Sequence, residues 1–254
     1  MEPKVHEAAS HGIRFDGETP ALFKPADFYG KYEKVCDKCV VTFSDDVVKH
    51  ALERFDCERL ACRMPIYTLD YKGEKIAFFM SIIGAAGAGT AIEDANCFTG
   101  ATRFFMFGSC GSLDKEISEG KLIVPTAAYR DEGLSYHYAL PSDYIEVKNA
   151  NAVSAFFTQR GVPFVTGKTW TTDAIYRETA GKAKARRAEG CVAVEMECAG
   201  AQALCDFRGW EYYDFLFAGD VLHEDTWDAR ILGARELDYQ LKYFLLALEL
   251  AVSV

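Results

Sequence analysis

The chain has 254 residues, 50% of them hydrophobic, and a formal net charge of −10. That is enough apolar mass for one large folded domain, and the composition is not that of a disordered chain. Such acidity excludes a general polyanion binder, because nucleic acid demands a basic face, and no apolar run reaches the roughly 20 residues of a membrane span.

Residues 1–34 carry mixed charges with Pro3, Pro20 and Pro25, and read as an irregular arm ahead of a domain at 35–254. No secretory leader is legible in this arm. Nine scattered cysteines, an odd number, then read as reduced thiols of a cytoplasmic protein. Cys36 and Cys39 have CxxC spacing, but no second pair or histidine follows at zinc spacing, so no metal is expected.

The run CVVTF (39–43) predicts a buried strand, and VVKHALERF after it a helix capped by Ser44 or Asp45. A second strand over 75–83 leads through GAAGAGT (84–90) into a helix near 90–99. A third strand, 103–107, ends at GSCGSL (108–113). KLIVPTAAY (121–129) is strand-like, 131–148 reads as a long loop, and 149–160 as a helix. PFVTGKTWTTD (163–173) predicts a strand entering a polar loop, and 178–189 an Ala/Lys/Arg-rich helix. CVAVEM begins another strand-to-helix unit. Residues 210–219 form a strand that stops at Asp220. The last helix, 235–252, carries Leu237, Leu241, Phe244, Leu245, Leu248 and Val252 along one face.

Strands and helices alternate without a linker or repeat, which predicts one α/β domain with a mixed central sheet. In such sheets ligands gather at the carboxyl ends of strands. The unusual residues cluster at those ends. Glycine lets a ligand approach backbone amides, yet GAAGAGT is neither a Walker loop nor a clean GxGxxG, and close strand–helix packing explains it equally well. In GSCG, Ser109 offers a hydroxyl and an amide to an anion, whereas Cys110 reads as a small buried thiol. Glu195 and Glu197 stand at a strand-to-helix junction, where one can face a cleft while the other compensates the helix dipole. Asp220 directly follows an apolar strand, a setting that perturbs carboxyl pKa values. Trp170, between two threonines, either stacks on a planar base or covers core.

The order GxG, GSCG, TWTTD with Tyr176 and Arg177, VEME and Gly-Asp resembles the nucleoside phosphorylase-I family over about 39–252, and RDEGLSYHY (130–138) is similar to it too. The resemblance implies a single α/β domain whose mixed sheet forms a distorted barrel flanked by helices. It implies that Met196 and Glu197, beside Glu195, hold the ribose and that Trp170 stacks on the base. Asp220 would be the catalytic acid near N7 of a purine. Ser109, Gly108, Gly87 and Gly89 would line the phosphate site, with Arg63 and Arg130 as candidate anion ligands. It further implies no metal in the chemistry, inorganic phosphate as co-substrate, and a homodimer or homohexamer with shared sites.

The chemistry suits these residues. Breaking a C1′–N bond builds oxocarbenium-like charge on the sugar, which a carboxylate on its hydroxyls orients and stabilises. A protonated acid near N7 helps the base depart, and pyrimidines lack N7. The expected reaction is phosphorolysis of purine nucleosides to free base and ribose-1-phosphate. One departure stands out: Val48 and Met106 occupy positions where the family places phosphate-binding arginines, and Ser44 replaces a glycine. Three alternatives therefore stay open: a nucleoside hydrolase, a uridine phosphorylase, and a catalytically silent nucleoside-binding homologue.

Overall fold

The computed structural model of the chain describes residues 5–7, 14–114, 116, 120–223, 226–230 and 237–254. The arm is more ordered than its composition suggested. It pairs β1 (Val5–Glu7) antiparallel with β2 (Arg14–Asp16) and adds a short α1 (Pro25–Tyr29). His6 lies in β1, and His11 falls outside the described residues. The arm rests on the domain through aromatic edges, Phe15 against Phe207 and Tyr29 against Phe98.

The domain then runs in chain order. β3 (Lys38–Thr42) and α2 (Asp45–Arg54) lead to β4 (Cys57–Arg59), β5 (Ile66–Tyr71), β6 (Glu74–Met80) and α3 (Ala85–Thr99). Next come β7 (Arg103–Ser112), β8 (Leu122–Asp131), α4 (Ser135–Tyr138), β9 (Tyr144–Glu146) and α5 (Ala150–Arg160). β10 (Phe164–Thr172) follows, with a 3-10 turn at Ile175–Arg177, and then α6 (Ala180–Ala188), β11 (Cys191–Glu195) and α7 (Cys198–Arg208). The chain closes with β12 (Glu211–His223), β13 (Thr226–Asp228) and α8 (Leu237–Ala251).

Five strands close on themselves. β7 pairs with β11, β11 with β10, β10 with β8, β8 with β12, and β12 returns to β7. Parallel and antiparallel pairings mix around this ring, whose five strands are each paired on both sides. β3, β6, β5 and β4 extend the sheet outward from β7. The expected α/β domain with a barrel-like mixed sheet is what the chain forms.

Apolar side chains drive this arrangement. All five residues of β3 are buried, as the continuous run KCVVT requires of a strand covered on both faces. β7 sets Phe105 and Phe107 beside Tyr213 and Phe215 of β12, and both ring pairs stack. α8 buries Phe244, Ala247, Leu248 and Ala251 completely, the i, i+3, i+4, i+7 stripe of an amphipathic helix. Ser44 caps α2, accepting from the Val47 amide at 3.3 Å.

Four local expectations change. GAAGAGT is not a loop: the helix starts at Ala85, so Gly87 and Gly89 lie inside its first turns. The strand from 103 continues through GSCG to Ser112. The segment 131–148 contains α4 and β9. β12 does not stop before Asp220 but shifts register between Ala218 and Asp220 and runs on to His223. No described helix is long and apolar enough to cross a membrane.

Candidate active site at the strand tips

A cavity of about 200 Å³ opens where several strands end. Its lining draws on several strand ends of the sheet. Phe43 follows β3, Ile83 follows β6, and Ser109 to Gly111 end β7. Val194 to Glu197 span the β11–α7 step, Asp220 comes from β12, and Ile175 and Glu178 come from the turn after β10.

The VEME junction is built from the backbone up. Glu195 is 5% exposed, and its Oε2 accepts the amides of Glu197 at 2.7 Å and Cys198 at 2.6 Å. These are the orphan amides at the start of α7, so Glu195 acts as that helix's N-terminal acceptor. Its Oε1 accepts from the hydroxyls of Thr171 (2.5 Å) and Thr169 (3.3 Å). Four donors saturate this carboxylate, although burial still raises its pKa.

Glu197 is different. Gly84 holds φ +98 at the turn from β6 into α3, a conformation that favours glycine, and its amide donates to Glu197 Oε1 at 2.6 Å. Among the described residues, its one other donor is the Met196 amide, at 3.3 Å to Oε2. Burial, then the neighbouring Glu195, push the Glu197 pKa up to about 7. An acceptor held in place and not saturated is what grips hydroxyl groups.

Asp220 sits at the β12 register shift, where an irregularity re-aims a side chain. It is 8% exposed, and Trp227 Nε1 donates to its Oδ2 at 2.6 Å. Burial raises its pKa, and the Trp227 bond opposes the rise. Glu178 lies in the same cavity, and its carboxyl rises to about 7 through burial and then the Asp220 charge. Among the described residues, no lysine, arginine or histidine lines this cavity. Nor do three His, Cys, Asp or Glu side chains converge to hold a metal ion.

The structure thus brings together Ser109, Glu195, Met196, Glu197 and Asp220. The other expected site residues lie elsewhere. Trp170 is 1% exposed and packs among Leu113, Ala183, Cys191 and Val194. Its Nε1 donates to Asp131 at 3.1 Å, and Lys182 Nζ lies 5.8 Å from its ring centroid. Strand alternation explains this: Thr169 and Thr171 both turn to Glu195, so Trp170 faces the other way. It has no free face for a base, and Phe43, Ile83 and Ile175 supply the apolar walls instead.

Arg130 is also sealed, at 1% exposure. Its guanidinium donates to Ser135, Leu140, Ser142 and Ala139 and lies 4.1 Å from the Tyr136 ring centroid. A buried cation must satisfy its donors, and here they tie down the segment 135–142 rather than an anion. Arg63 is exposed and does not line the cavity. Gly87 packs on Ile82, and a Cβ on Gly89 would lie 2.4 Å from Leu134, so these glycines serve helix packing. Gly108 stands against the Phe43 ring, beside the lining but not in it.

Glu178 and Gly84 are the residues that sequence reasoning overlooked. Gly84 was legible as the first glycine of GAAGAGT. Glu178 was visible only as a carboxyl at the start of an Ala-rich helix.

A sequence model described as the phosphorylase superfamily matches residues 37–230, most of the chain. The chain belongs to the phosphorylase superfamily. It is 24% identical over 182 residues to a DeoD-type purine nucleoside phosphorylase of Alkaliphilus metalliredigens, covering 69% of this chain and 77% of that one. It is 33% identical over 113 residues to a uridine phosphorylase of Thermococcus kodakarensis, covering 43% and 40%. Among solved structures, the 5'-methylthioadenosine/S-adenosyl homocysteine nucleosidase of Campylobacter jejuni shares the fold. The TM-score is 0.68 at 17% identity, with 86% of this chain and 100% of that one covered.

Proposed function

We propose that this member of the superfamily cleaves the N-glycosidic bond of nucleosides, purine nucleosides ahead of pyrimidine ones. The observation that carries this reading is the pairing at the strand tips: an unsaturated carboxylate held by the Gly84 amide shares a small cavity with a buried aspartate. Glu197 accepts the ribose 2′- and 3′-hydroxyls and favours the oxocarbenium-like charge that forms as the bond stretches. Asp220, protonated, donates to N7 as the C1′–N bonding pair leaves with the base. Glu195 holds the start of α7, and with it Glu197, in place.

Two acceptors for the sugar have support. Water is favoured by the charge of the cavity: among the described residues, Glu178, Glu195 and Glu197 line it beside the protonated Asp220 with no cation, and a phosphate dianion is repelled by ionised carboxylates at that range. Water would add to C1′ and release ribose. Phosphorolysis, with inorganic phosphate as co-substrate at Ser109, is the reading favoured by the names of the relatives. As a pentosyltransferase the protein would then yield ribose-1-phosphate.

The mouth of the cavity supports assembly into a homo-oligomer. Ile83 of the lining is 65% exposed, and Ile82 and Tyr176, chain neighbours of the lining residues Ile83 and Ile175, are 72% and 96% exposed, apolar surface that a second copy would cover. All nine cysteines are free, which fits a reducing compartment such as the cytoplasm.

The test is base release from a panel of purine and pyrimidine nucleosides, with and without phosphate. Release of purine supports the reading. Turnover without phosphate selects water, and strict phosphate dependence selects phosphorolysis. If no nucleoside yields base under either condition while nucleosides still bind, the catalytic reading is wrong and the chain is a binding homologue.

A further inference from the structure

Glu178 has no role in the chemistry derived so far, yet its carboxyl faces the cavity that holds Asp220. Among the described residues, no hydrogen bond or ion pair engages it; burial and the Asp220 charge are what act on it. It comes from the 3-10 turn after β10, the same turn that sets Ile175 in the cavity wall, whereas Asp220 comes from β12. Two elements thus bring two carboxyls to one end of a small space. The groups facing Glu178 there are acidic: Asp220 from β12, and Glu195 and Glu197 from the β11–α7 junction. Arg177 precedes it on the turn and does not line the cavity.

A carboxylate left unpaired in a confined site imposes a chemical demand on what enters. Ionised, it only accepts hydrogen bonds; protonated, it also donates one. If Asp220 donates to N7 of a purine, the group beside it meets the substituent on C6, the ring position next to that edge. A 6-amino group presents an N–H donor to Glu178. A 6-oxo group presents a second acceptor, which an ionised carboxylate opposes and leaves unsatisfied.

We propose that Glu178 is a specificity-determining residue: paired with Asp220, it makes the site select 6-aminopurine nucleosides over 6-oxopurine nucleosides. This rests on the glycosidic reading above and on the placement of the base at Asp220. Selection is strongest where Glu178 is ionised. Because burial and Asp220 bring its pKa to about 7, protonation at lower pH supplies a donor to the 6-oxo group and narrows the preference.

The experiment compares kcat/KM for adenosine and inosine at pH 6 and pH 8, for the full chain and for Glu178→Gln. The expected result is a preference for adenosine of about tenfold or more at pH 8, smaller at pH 6. Gln, which both donates and accepts at every pH, brings the ratio close to one and removes its pH dependence. A ratio unchanged by Glu178→Gln overturns the proposal, as does a preference for inosine at pH 8. If neither nucleoside is cleaved, the glycosidic reading fails by itself. The selection is then read from calorimetric Kd values, where equal binding of adenosine and inosine overturns it.

Discussion

Two glutamates of this chain show how differently a fold can treat one side chain. Glu249, a largely covered side chain of α8, accepts from the Tyr71 hydroxyl at 2.6 Å, Lys72 Nζ at 2.5 Å and Arg160 Nη2 at 2.6 Å, and its pKa falls to about 2. Glu197, at the strand tips, has among the described residues no cation beside it, only the Gly84 and Met196 amides, and rises to about 7. Three donors, two of them cations, make Glu249 a finished ion cluster. Glu197 has acceptor capacity left over. Saturated carboxylates stabilise a fold, whereas buried unsaturated ones cost stability and are open to a ligand.

The largest expected effect is at the unsaturated end. Glu197→Gln should cut base release by about a hundredfold or more while leaving the melting temperature unchanged or raised. A variant that melts early and keeps its activity would place Glu197 with Glu249 and break the comparison. Asp220→Asn comes next. It should lose about a hundredfold on purine nucleosides, because an amide cannot deliver the proton that N7 takes.

The pH profile sharpens the contrast further. Glu197 acts as an acceptor in its ionised form, so kcat/KM should rise through about pH 7, well above the ordinary carboxylate range. A profile flat from pH 5.5 to 8 would show that its charge is not used.

Stability should respond with the opposite sign at the two sites. Glu249 has a depressed pKa, so its contribution is present above its unfolded value of about 4.5 and is lost as pH falls through about 2. Glu249→Gln should therefore lower the melting temperature by a few degrees near neutrality, with the deficit shrinking below pH 4, and leave base release intact. Asp214, buried on β12 with one oxygen unpartnered, has its pKa raised to about 8 by burial and then by Glu195. A raised acid contributes its stability at low pH and loses it as pH rises through the folded value. Asp214→Asn should make the decline in melting temperature between pH 5 and 9 shallower, the smallest of these effects.

Much of this was legible in the residues, for physical reasons that differ from place to place. The strands with continuous apolar runs, β3, β7 and β12, announced themselves because burial on both faces leaves no other composition. The VEME junction and Asp220 were legible because carboxyls at the ends of apolar strands are costly and so conspicuous. Trp170 misled because alternation along β10 turns on which residue faces Glu195, and neither threonine announced that it would. Arg130 misled because arginine invites an anion, while the carbonyls of 139 and 140 that occupy it come from a turn with no local signature. Gly89 of GAAGAGT did not announce a helix position because its partners, Leu134 and Leu204, are distant in sequence. Glu178 needed the turn after β10 to be folded before its carboxyl had an address.

The most direct measurement is a crystal structure with a purine nucleoside bound. The account predicts Glu197 within hydrogen-bonding distance of both ribose hydroxyls, its Gly84 contact retained, with the base edge at Asp220. A nucleoside seated with its sugar away from Glu197, or bound outside the strand-tip cavity, would contradict it.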